Sequence, residues 1–487
     1  MSHFLKHDFL RSLGWLGLSR FISQLGTWAA TIIIARILSP SDYGLVGMAG
    51  LITGIIMLFG DFGLGASIIQ KRETSKEELS TLFYILTGIG GVITLIIFFI
   101  APLGGSFFKE QEVTNLIRLS SIIFLISSIT TIPRNLIQKE MKFKLYGIID
   151  SFAAMSTSIV VIILAVKGLG AYSLIWGMIF NSIISMILFT FYSGFKPTAS
   201  FSTDYLKMHL KFGGAVTLSR YLWWYYCNVD YILAGKILGK NAFGLYSMAF
   251  QLASLPLEKL ASIINPVSLP AFSSIGDRQE LIRFYFNIVK YLSLISFPIF
   301  CGFFWIADDA FPLLLGAKWN NSILIFKILS IPCMFRCLSV LNSTLVNSIR
   351  RPDVGVKNMF LSSIVATIAL LIGVNWGANG LAVAWLVFYP PVFIVFIYSV
   401  SKAVGFSLSS YFSNIRYALL CTILMSICIF ITQSMLDIII KDTNIHLYDT
   451  IRLTATIITG LISYVLSIYI LDRDTFKGLI RFVHRTN

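Results

Sequence analysis

The sequence is poor in charged residues, and acidic residues are the scarcer kind. Charged residues make up 13% of the 487 residues and hydrophobic residues 56%, whereas an average soluble protein has about twice that charged share. The mean hydropathy of +0.81 is too apolar for surfaces that face water. A soluble enzyme, a disordered scaffold and a secreted disulfide-bonded module are therefore excluded.

The sequence also has no recognisable motif for a metal site, a nucleotide site or a catalytic nucleophile. The six cysteines lie in apolar segments without paired CxxC motifs or nearby histidines, which favours thiols that pack as small hydrophobic groups. The five histidines fall in predicted loops or tails. The phosphate-binding pattern G-x-x-x-x-G-K-[ST] is absent, and Asp61-Phe62-Gly63 copies a kinase motif without its companions. We therefore expect no catalytic residues, no metal and no cofactor.

Long apolar runs are what the sequence has in quantity. Each is close to the roughly 20 residues that cross a bilayer core, and the alternating ten-residue pattern of membrane barrels is absent. We therefore predict an all-α polytopic membrane protein with about 14 transmembrane helices. The predicted spans are 12–35, 43–70, 79–101, 113–133, 146–166, 171–194, 212–235, 243–270, 291–307, 320–346, 358–375, 379–401, 417–436 and 450–471.

Most of the net charge of +15 lies in the loops of one side of the membrane, where it indicates how the chain is oriented. Alternate loops differ sharply in basic content: one set, which includes both termini, holds 24 Lys and Arg residues, and the other set holds 7. Excess Lys and Arg mark the cytoplasmic side, so both termini are predicted to be cytoplasmic. The positive loops also indicate contact with anionic membrane lipids, and nucleic acid is not needed as a partner. Only a net +3 remains inside the predicted spans.

An internal repeat relates the start of the chain to its middle. After a shift of 200 residues, ten of the 32 positions in 18–49 are identical. Six spans separate the two copies, so both have the same orientation, and a pseudo-twofold axis along the membrane normal is expected. We predict two six-helix lobes, 1–205 and 206–405, with two further helices and a tail in 406–487. This arrangement favours a cavity between the lobes and alternating access.

Charged residues inside the predicted spans are the candidate functional residues. Each costs about 2.5–3.5 kcal/mol at the bilayer centre unless it faces protein or water. The candidates for a cavity that binds an anionic substrate are Arg20, Arg220, Lys327, Arg336, Arg118 and Lys259. The candidates for ion coupling are Asp230, Asp61 and Glu258.

Structural ion pairing is the alternative for several of these charges. Arg20 and Asp61 lie at similar depths and are able to pair, and Asp230 has Lys236 as a possible partner. Lys327 and Arg336 share a span without an acidic residue, so we expect them to be the free cations.

Residues 35–46 (ARILSPSDYGLV) resemble the segment A-R-x-L-[ST]-P-x-D-[YF]-G of bacterial polysaccharide flippases. Residues 61–70 (DFGLGASIIQ) are similar to the pattern D-x-G-L-x-x-A-[LI]-[IV]-Q of that family, with Ser67 in place of the usual alanine. The likeness is dense over 18–150 and diffuse afterwards. The chain thus resembles Wzx-type flippases of the colanic acid exporter kind, in the MOP superfamily.

The resemblance implies the MOP flippase fold and the transport of undecaprenyl-pyrophosphate-linked oligosaccharides. Such proteins act in the bacterial inner membrane in the synthesis of O-antigen, capsule or exopolysaccharide, with a polymerase and a chain-length regulator as possible partners. Arg36, Asp42 and Asp61 lie in the matched segments. The alternatives are a peptidoglycan-precursor flippase, a multidrug antiporter of the MATE kind and, in another class, a membrane polysaccharide polymerase or glycosyltransferase.

Overall fold

The computed structural model describes residue 24 and residues 26–60, 75–198, 214–439 and 445–473. Within these segments the regular structure is helical, and each predicted span overlaps one helix. The helices are α1 (Gly26–Ile37), α2 (Pro40–Gly60), α3 (Lys76–Phe108), α4 (Gln111–Lys139), α5 (Phe143–Val166), α6 (Ala171–Ser193), α7 (Gly214–Leu233), α8 (Gly239–Ser274), α9 (Arg278–Leu314), α10 (Asn320–Ser348), α11 (Pro352–Gly373), α12 (Gly377–Val404), α13 (Leu408–Ile439) and α14 (Ile445–Leu471).

The helices carry apolar surface that only lipid can cover. In α3, for example, the most apolar 18-residue stretch is only 22% buried, whereas a helix on a soluble protein turns its apolar side inwards. Within the described residues, nine helical runs are long and apolar enough to cross a membrane, or ten if the bent pair α1–α2 is counted as one span. The chain is therefore a polytopic membrane protein, and the number of 14 crossings stays a prediction.

Several helices extend beyond the predicted spans. The segment 271–290 was expected to be a loop, but α8 ends at Ser274 and α9 begins at Arg278. Asp277 is the reason for the early start, because its carboxylate accepts a hydrogen bond from the backbone N–H of Glu280 at 2.7 Å and so caps α9. Hydropathy marks only the part of a helix that crosses the bilayer core, so it misses such polar extensions.

The chain divides into two compact units, Met1–Gly244 and Leu245–Asn487. In the first unit, α4 packs against α2, α3 and α6, and α7 packs against α2. A π-helical turn, Ala234–Leu238, joins α7 to α8. In the second unit, α9 packs against α10, α13 and α14, while α12 packs against α10 and α11. The predicted lobes 1–205 and 206–405 remain a prediction.

Candidate functional site

The cation with the most distinctive surroundings is Arg336, in the middle of α10. It lies sixteen residues after Asn320, which is about 24 Å along the helix axis. Its guanidinium carbon is 4.9 Å from the ring centre of Trp385 and 5.2 Å from that of Phe250. The two rings are themselves in contact, with centres 5.7 Å apart. Aromatic faces attract a guanidinium electrostatically, so the rings hold the charge at this depth while the side chain stays half-buried.

Polar and aromatic side chains continue along the same two helices. Ser339, one turn after Arg336 on α10, forms a hydrogen bond of 2.8 Å with the hydroxyl group of Tyr389 on α12. Tyr389 lies one turn after Trp385, and both rings are almost fully buried. These helices therefore bring a guanidinium, a hydroxyl pair and aromatic rings together. The half-buried guanidinium in this cluster suits a ligand that has an anionic group and is otherwise polar.

Lys327 differs from Arg336, although both lie on α10. The Lys327 amine forms an ion pair with the carboxylate of Asp308, near the end of α9, and lies 5.3 Å from the ring centre of Phe304. The expectation that Lys327 is a free cation is therefore wrong. The partner was missed because the predicted ninth span ends at residue 307, one residue before Asp308, whereas α9 continues to Leu314.

The other described cavity candidates are dispersed. Arg118, on α4, lies 5.2 Å from the ring centre of Phe98, and its Nε atom is buried without a hydrogen-bond partner. Lys259 is exposed on α8, next to Glu258, which is also exposed. Arg118 belongs to the first unit, whereas Lys259 and Arg336 belong to the second, and the roles of Arg118 and Lys259 stay predictions.

Among the ion-coupling candidates, Asp230 is fully buried. It lies near the end of α7, just before the π-helical turn, and its Oδ1 atom accepts a hydrogen bond of 2.9 Å from the backbone N–H of Tyr231. π-helical turns occur frequently at functional sites. Lys236, the partner considered for Asp230, donates a hydrogen bond of 2.5 Å to the carbonyl oxygen of Phe107.

The predicted pair of Arg20 and Asp61 lies outside the described residues. The backbone of Arg220 belongs to α7, but its side chain is outside the described part. The roles of Arg20, Asp61 and Arg220 therefore stay predictions. Within the described segments, no three His, Cys, Asp or Glu side chains gather as a metal site would require.

Sequence reasoning missed a second ion pair on α9. Asp309, next to Asp308, accepts a hydrogen bond of 2.9 Å from Arg452 on α14. The Asp309 side chain is 2% exposed and that of Arg452 is 18% exposed. The signal in the sequence was the adjacent pair of acids, Asp308 and Asp309, just after a predicted span. In the structure, one pairs with a cation of α10 and the other with a cation of α14.

The profile of the polysaccharide biosynthesis protein family matches residues 33–324. The chain belongs to this family. It is similar to the lipopolysaccharide biosynthesis protein WzxC of Escherichia coli (strain K12), with 27% identity over 358 residues and 73% of each chain covered. It is also similar to the teichuronic acid biosynthesis protein TuaB of Bacillus subtilis (strain 168), with 24% identity over 86% of this chain and 87% of that one.

Solved structures with the same fold are transporters. The lipid II flippase MurJ, in an inward closed conformation, matches with a TM-score of 0.74 and 16% identity, over 94% of this chain and 99% of that chain. An inward-facing multidrug MATE family transporter of the MOP superfamily matches with a TM-score of 0.60 and 16% identity, over 81% of this chain and 98% of that chain. The predicted MOP fold and the resemblance to Wzx-type proteins are confirmed.

Proposed function

We propose that this family member is a flippase that moves undecaprenyl-pyrophosphate-linked oligosaccharide units across the bacterial inner membrane by alternating access. The units supply the synthesis of a surface polysaccharide, such as O-antigen, capsule or exopolysaccharide. Family membership and the names of its relatives support the broader class, which is transport of lipid-linked sugar units. The pyrophosphate makes the cargo anionic, so the protein needs a positive group at membrane depth.

The observation that carries the proposal is the half-buried guanidinium of Arg336 between Phe250 and Trp385. A charge at this depth costs about 2.5–3.5 kcal/mol on insertion scales, and a residue with that cost usually has a function. A guanidinium binds phosphate oxygens through two parallel N–H donors. The flanking rings restrict the orientation of its plane, which reduces the entropy lost when the cargo binds.

The orientation and partners of the transporter are part of the same proposal. The excess of Lys and Arg in one set of loops favours cytoplasmic termini, so the cargo would enter from the cytoplasmic leaflet and leave towards the periplasm. A polymerase and a chain-length regulator would use the exported units there. Asp230 is the proposed coupling carboxylate, because it is buried beside an irregular helical turn.

The family match favours polysaccharide units over the cargoes of the two structural neighbours. A MATE-like drug antiporter would need a site that attracts organic cations, whereas the aromatic rings here already hold the positive charge of Arg336. A peptidoglycan-precursor flippase would also need cationic groups, so the cargo itself must be tested.

The test is complementation of surface polysaccharide in a strain that lacks its own copy of the gene. We expect Arg336→Ala to lower export at least about tenfold, because a hydrogen bond to a charged group contributes about 1.5–3 kcal/mol. Arg336→Lys keeps the charge but loses the paired donors, so its export should be intermediate. The readouts are surface polysaccharide, accumulated lipid-linked units and the amount of protein in the membrane.

A matched control is Arg416→Ala, which removes an exposed arginine that also lies on an aromatic ring, 4.6 Å from the ring centre of Tyr417. This control should export normally. Normal export by Arg336→Ala, with normal amounts of protein, would contradict the proposed role of Arg336.

A further inference from the structure

Asp309, near the end of α9, is a buried carboxylate for which the proposed function has no use. Its side chain is 2% exposed. The Oδ1 atom accepts the hydrogen bond of 2.9 Å from Arg452 on α14, whereas the Oδ2 atom is buried and has no hydrogen-bond partner among the described residues. Buried polar atoms normally have such a partner, so the unpaired Oδ2 atom calls for an explanation.

The guanidinium of Arg452 reaches acceptors on two helices. Besides Asp309 on α9, its Nη2 atom donates a hydrogen bond of 3.4 Å to Oε1 of Gln433, and its Nε atom lies 3.3 Å from Oδ1 of Asp437; both acceptors belong to α13. The Asp437 side chain is 51% exposed and that of Arg452 is 18% exposed. Arg452 therefore lies between a buried carboxylate and an exposed one, and a small rotation of its side chain exchanges the first for the second.

The charged and titratable groups around Asp309 come from α9 itself and from the three helices α10, α13 and α14, which pack against it. They are Asp308 on α9, Lys327 on α10, Asp437 on α13, and Tyr448, Asp449 and Arg452 on α14. With Asp309 included, four carboxylates of the described residues lie here with two cations. Asp308 and Asp449 repel the charge of Asp309, and a proton on Asp309 removes that repulsion.

Burial and pairing act on Asp309 in opposite directions. Burial disfavours the charged form of a carboxyl group, and a nearby guanidinium favours it. With Arg452 at 2.9 Å the charge is compensated. Once the guanidinium turns to Asp437, the buried carboxylate is left without its cation and takes up a proton. The same guanidinium repels metal cations, so the ligand that fits the unpaired Oδ2 atom is a proton.

We propose that Asp309 is a proton-binding site at the periplasmic end of the second unit, and that a proton bound there transfers Arg452 from Asp309 to Asp437. The proton comes from water and binds Oδ2, so the side chain becomes neutral; it returns to water when Arg452 turns back. The side of the membrane follows from the loop charges, which assign residues 437–449 to the periplasmic set, and in this respect the inference rests on the proposed orientation.

The bound proton changes which helices are joined. The pair of Arg452 with Asp309 joins α14 to α9, whereas the pair with Asp437 joins α14 to α13. A ligand shifts an equilibrium only if it binds one state better than the other, and here the proton binds only the state in which Arg452 has left Asp309. Acidity on the periplasmic side would therefore loosen α14 from α9 at this end.

The test is infrared difference spectroscopy of the full-length protein in liposomes, because a protonated carboxyl group has a C=O stretching band that a carboxylate lacks. We expect this band to appear when the pH is lowered from neutral to mildly acidic. Exposed aspartates stay charged there, since their ordinary pKa is about 3.9. Asp309→Asn, which has a neutral side chain of similar shape, should lack the band.

Two neighbours of Asp309 give opposite predictions. Arg452→Gln removes the compensating cation, so the midpoint of the band should rise by at least about one pH unit, a tenfold increase in proton affinity. Asp437→Asn removes the second carboxylate available to Arg452, so the midpoint should fall. The matched control is Asp308→Asn, which removes the adjacent but 45% exposed acid and should keep the band.

The same band in a folded Asp309→Asn variant, or no band in the wild-type protein, would overturn the proton site. If Asp309→Asn does not fold, Arg452→Gln decides, because an unchanged midpoint in that variant would also overturn it. An unchanged midpoint in Asp437→Asn would contradict the transfer of Arg452. The spectra require no cargo, so the band together with normal export by Arg336→Ala would support the proton site and contradict the cargo proposal.

Discussion

Two contacts in the molecule are built in opposite ways. One is the glycine contact of the first unit, where the backbone of Gly44 meets that of Lys240 and the backbone of Gly244 meets that of Pro40. The other is the attachment of the C-terminal hairpin (α13 and α14) in the second unit. At the glycine contact, two backbones meet and the nearest ion pair is partly exposed. In the hairpin, α14 is joined to α9 by the Asp309–Arg452 pair at 2.9 Å and by the Lys290–Asp472 pair at 2.7 Å. The acidic side chains of these pairs are only 2% and 9% exposed.

The two ion pairs of the hairpin lie near opposite ends of the membrane span. Nineteen residues separate Lys290 from Asp309 on α9, which is about 29 Å along the helix and close to the roughly 30 Å of a bilayer core. Between them, the hydroxyl group of Tyr464 donates a hydrogen bond of 2.7 Å to the carbonyl oxygen of Leu294. The attachment therefore fixes α14 to α9 along its whole length.

The comparison indicates which of the two contacts costs less free energy to separate. A buried ion pair is costly to separate because each charge would be left in an apolar surrounding, whereas glycine backbones leave nothing uncompensated when they part. We infer that the C-terminal hairpin is held firmly to α9.

The largest effect on stability is expected at Asp309. Asp309→Ala removes the buried partner of Arg452 but leaves Asp437, a 51% exposed carboxylate 3.3 Å from the Nε atom of Arg452. Because breaking a buried pair costs about 3–5 kcal/mol, we expect a loss in the lower part of that range. The free energy of unfolding in detergent measures the loss. The neighbouring Asp308→Ala is the matched control, because Asp308 is 45% exposed and such pairs contribute about 0–1 kcal/mol. Equal losses for the two variants would contradict the comparison.

A smaller loss is expected at the other end of α14. Asp472→Ala removes the partner of Lys290, whose side chain is 25% exposed and so retains access to water. Because only one side chain of this ion pair is buried, we expect a loss of about 1–2 kcal/mol, between the values for exposed and for buried pairs. The paired variant Lys290→Ala/Asp472→Ala should lose little more than either single variant. Strictly additive losses would show that the two side chains do not interact.

The smallest effect on stability is expected at Lys240. Lys240→Ala removes a partly exposed ion pair and should change the free energy of unfolding by less than about 1 kcal/mol. Thermal unfolding in detergent measures the change. A loss well above about 1 kcal/mol would show that this pair of Lys240 with Glu110 is stronger than its exposure suggests.

The helices themselves were predictable from the sequence, because a bilayer core demands apolar runs of known length. The glycine contact had a signal as well: Gly44 and Gly244 are identical in the repeat, although nothing in the sequence shows that equivalent residues touch. The ion pairs were harder to predict from the sequence. Asp308 and Asp309 lie beyond the apolar run of α9, and hydropathy cannot indicate which neighbouring helix supplies a cation.

Arg336 was predictable as a candidate, but its surroundings were not. The rings of Phe250 and Trp385 come from α8 and α12, and residues so far apart in sequence are brought together only by helix packing. Lys327 shows the reverse case, since this cation has no acid on its own helix, α10, but pairs with Asp308 on the preceding helix, α9.

The most direct test of the central claim is transport by the purified protein in liposomes that contain an undecaprenyl-pyrophosphate-linked oligosaccharide. The movement of the sugar between leaflets is followed by its accessibility to a membrane-impermeant glycosidase. We predict flipping by the wild-type protein and by Arg416→Ala, and a rate at least about tenfold lower for Arg336→Ala. A wild-type rate no higher than that of protein-free liposomes, or equal rates for wild type and Arg336→Ala, would contradict the account.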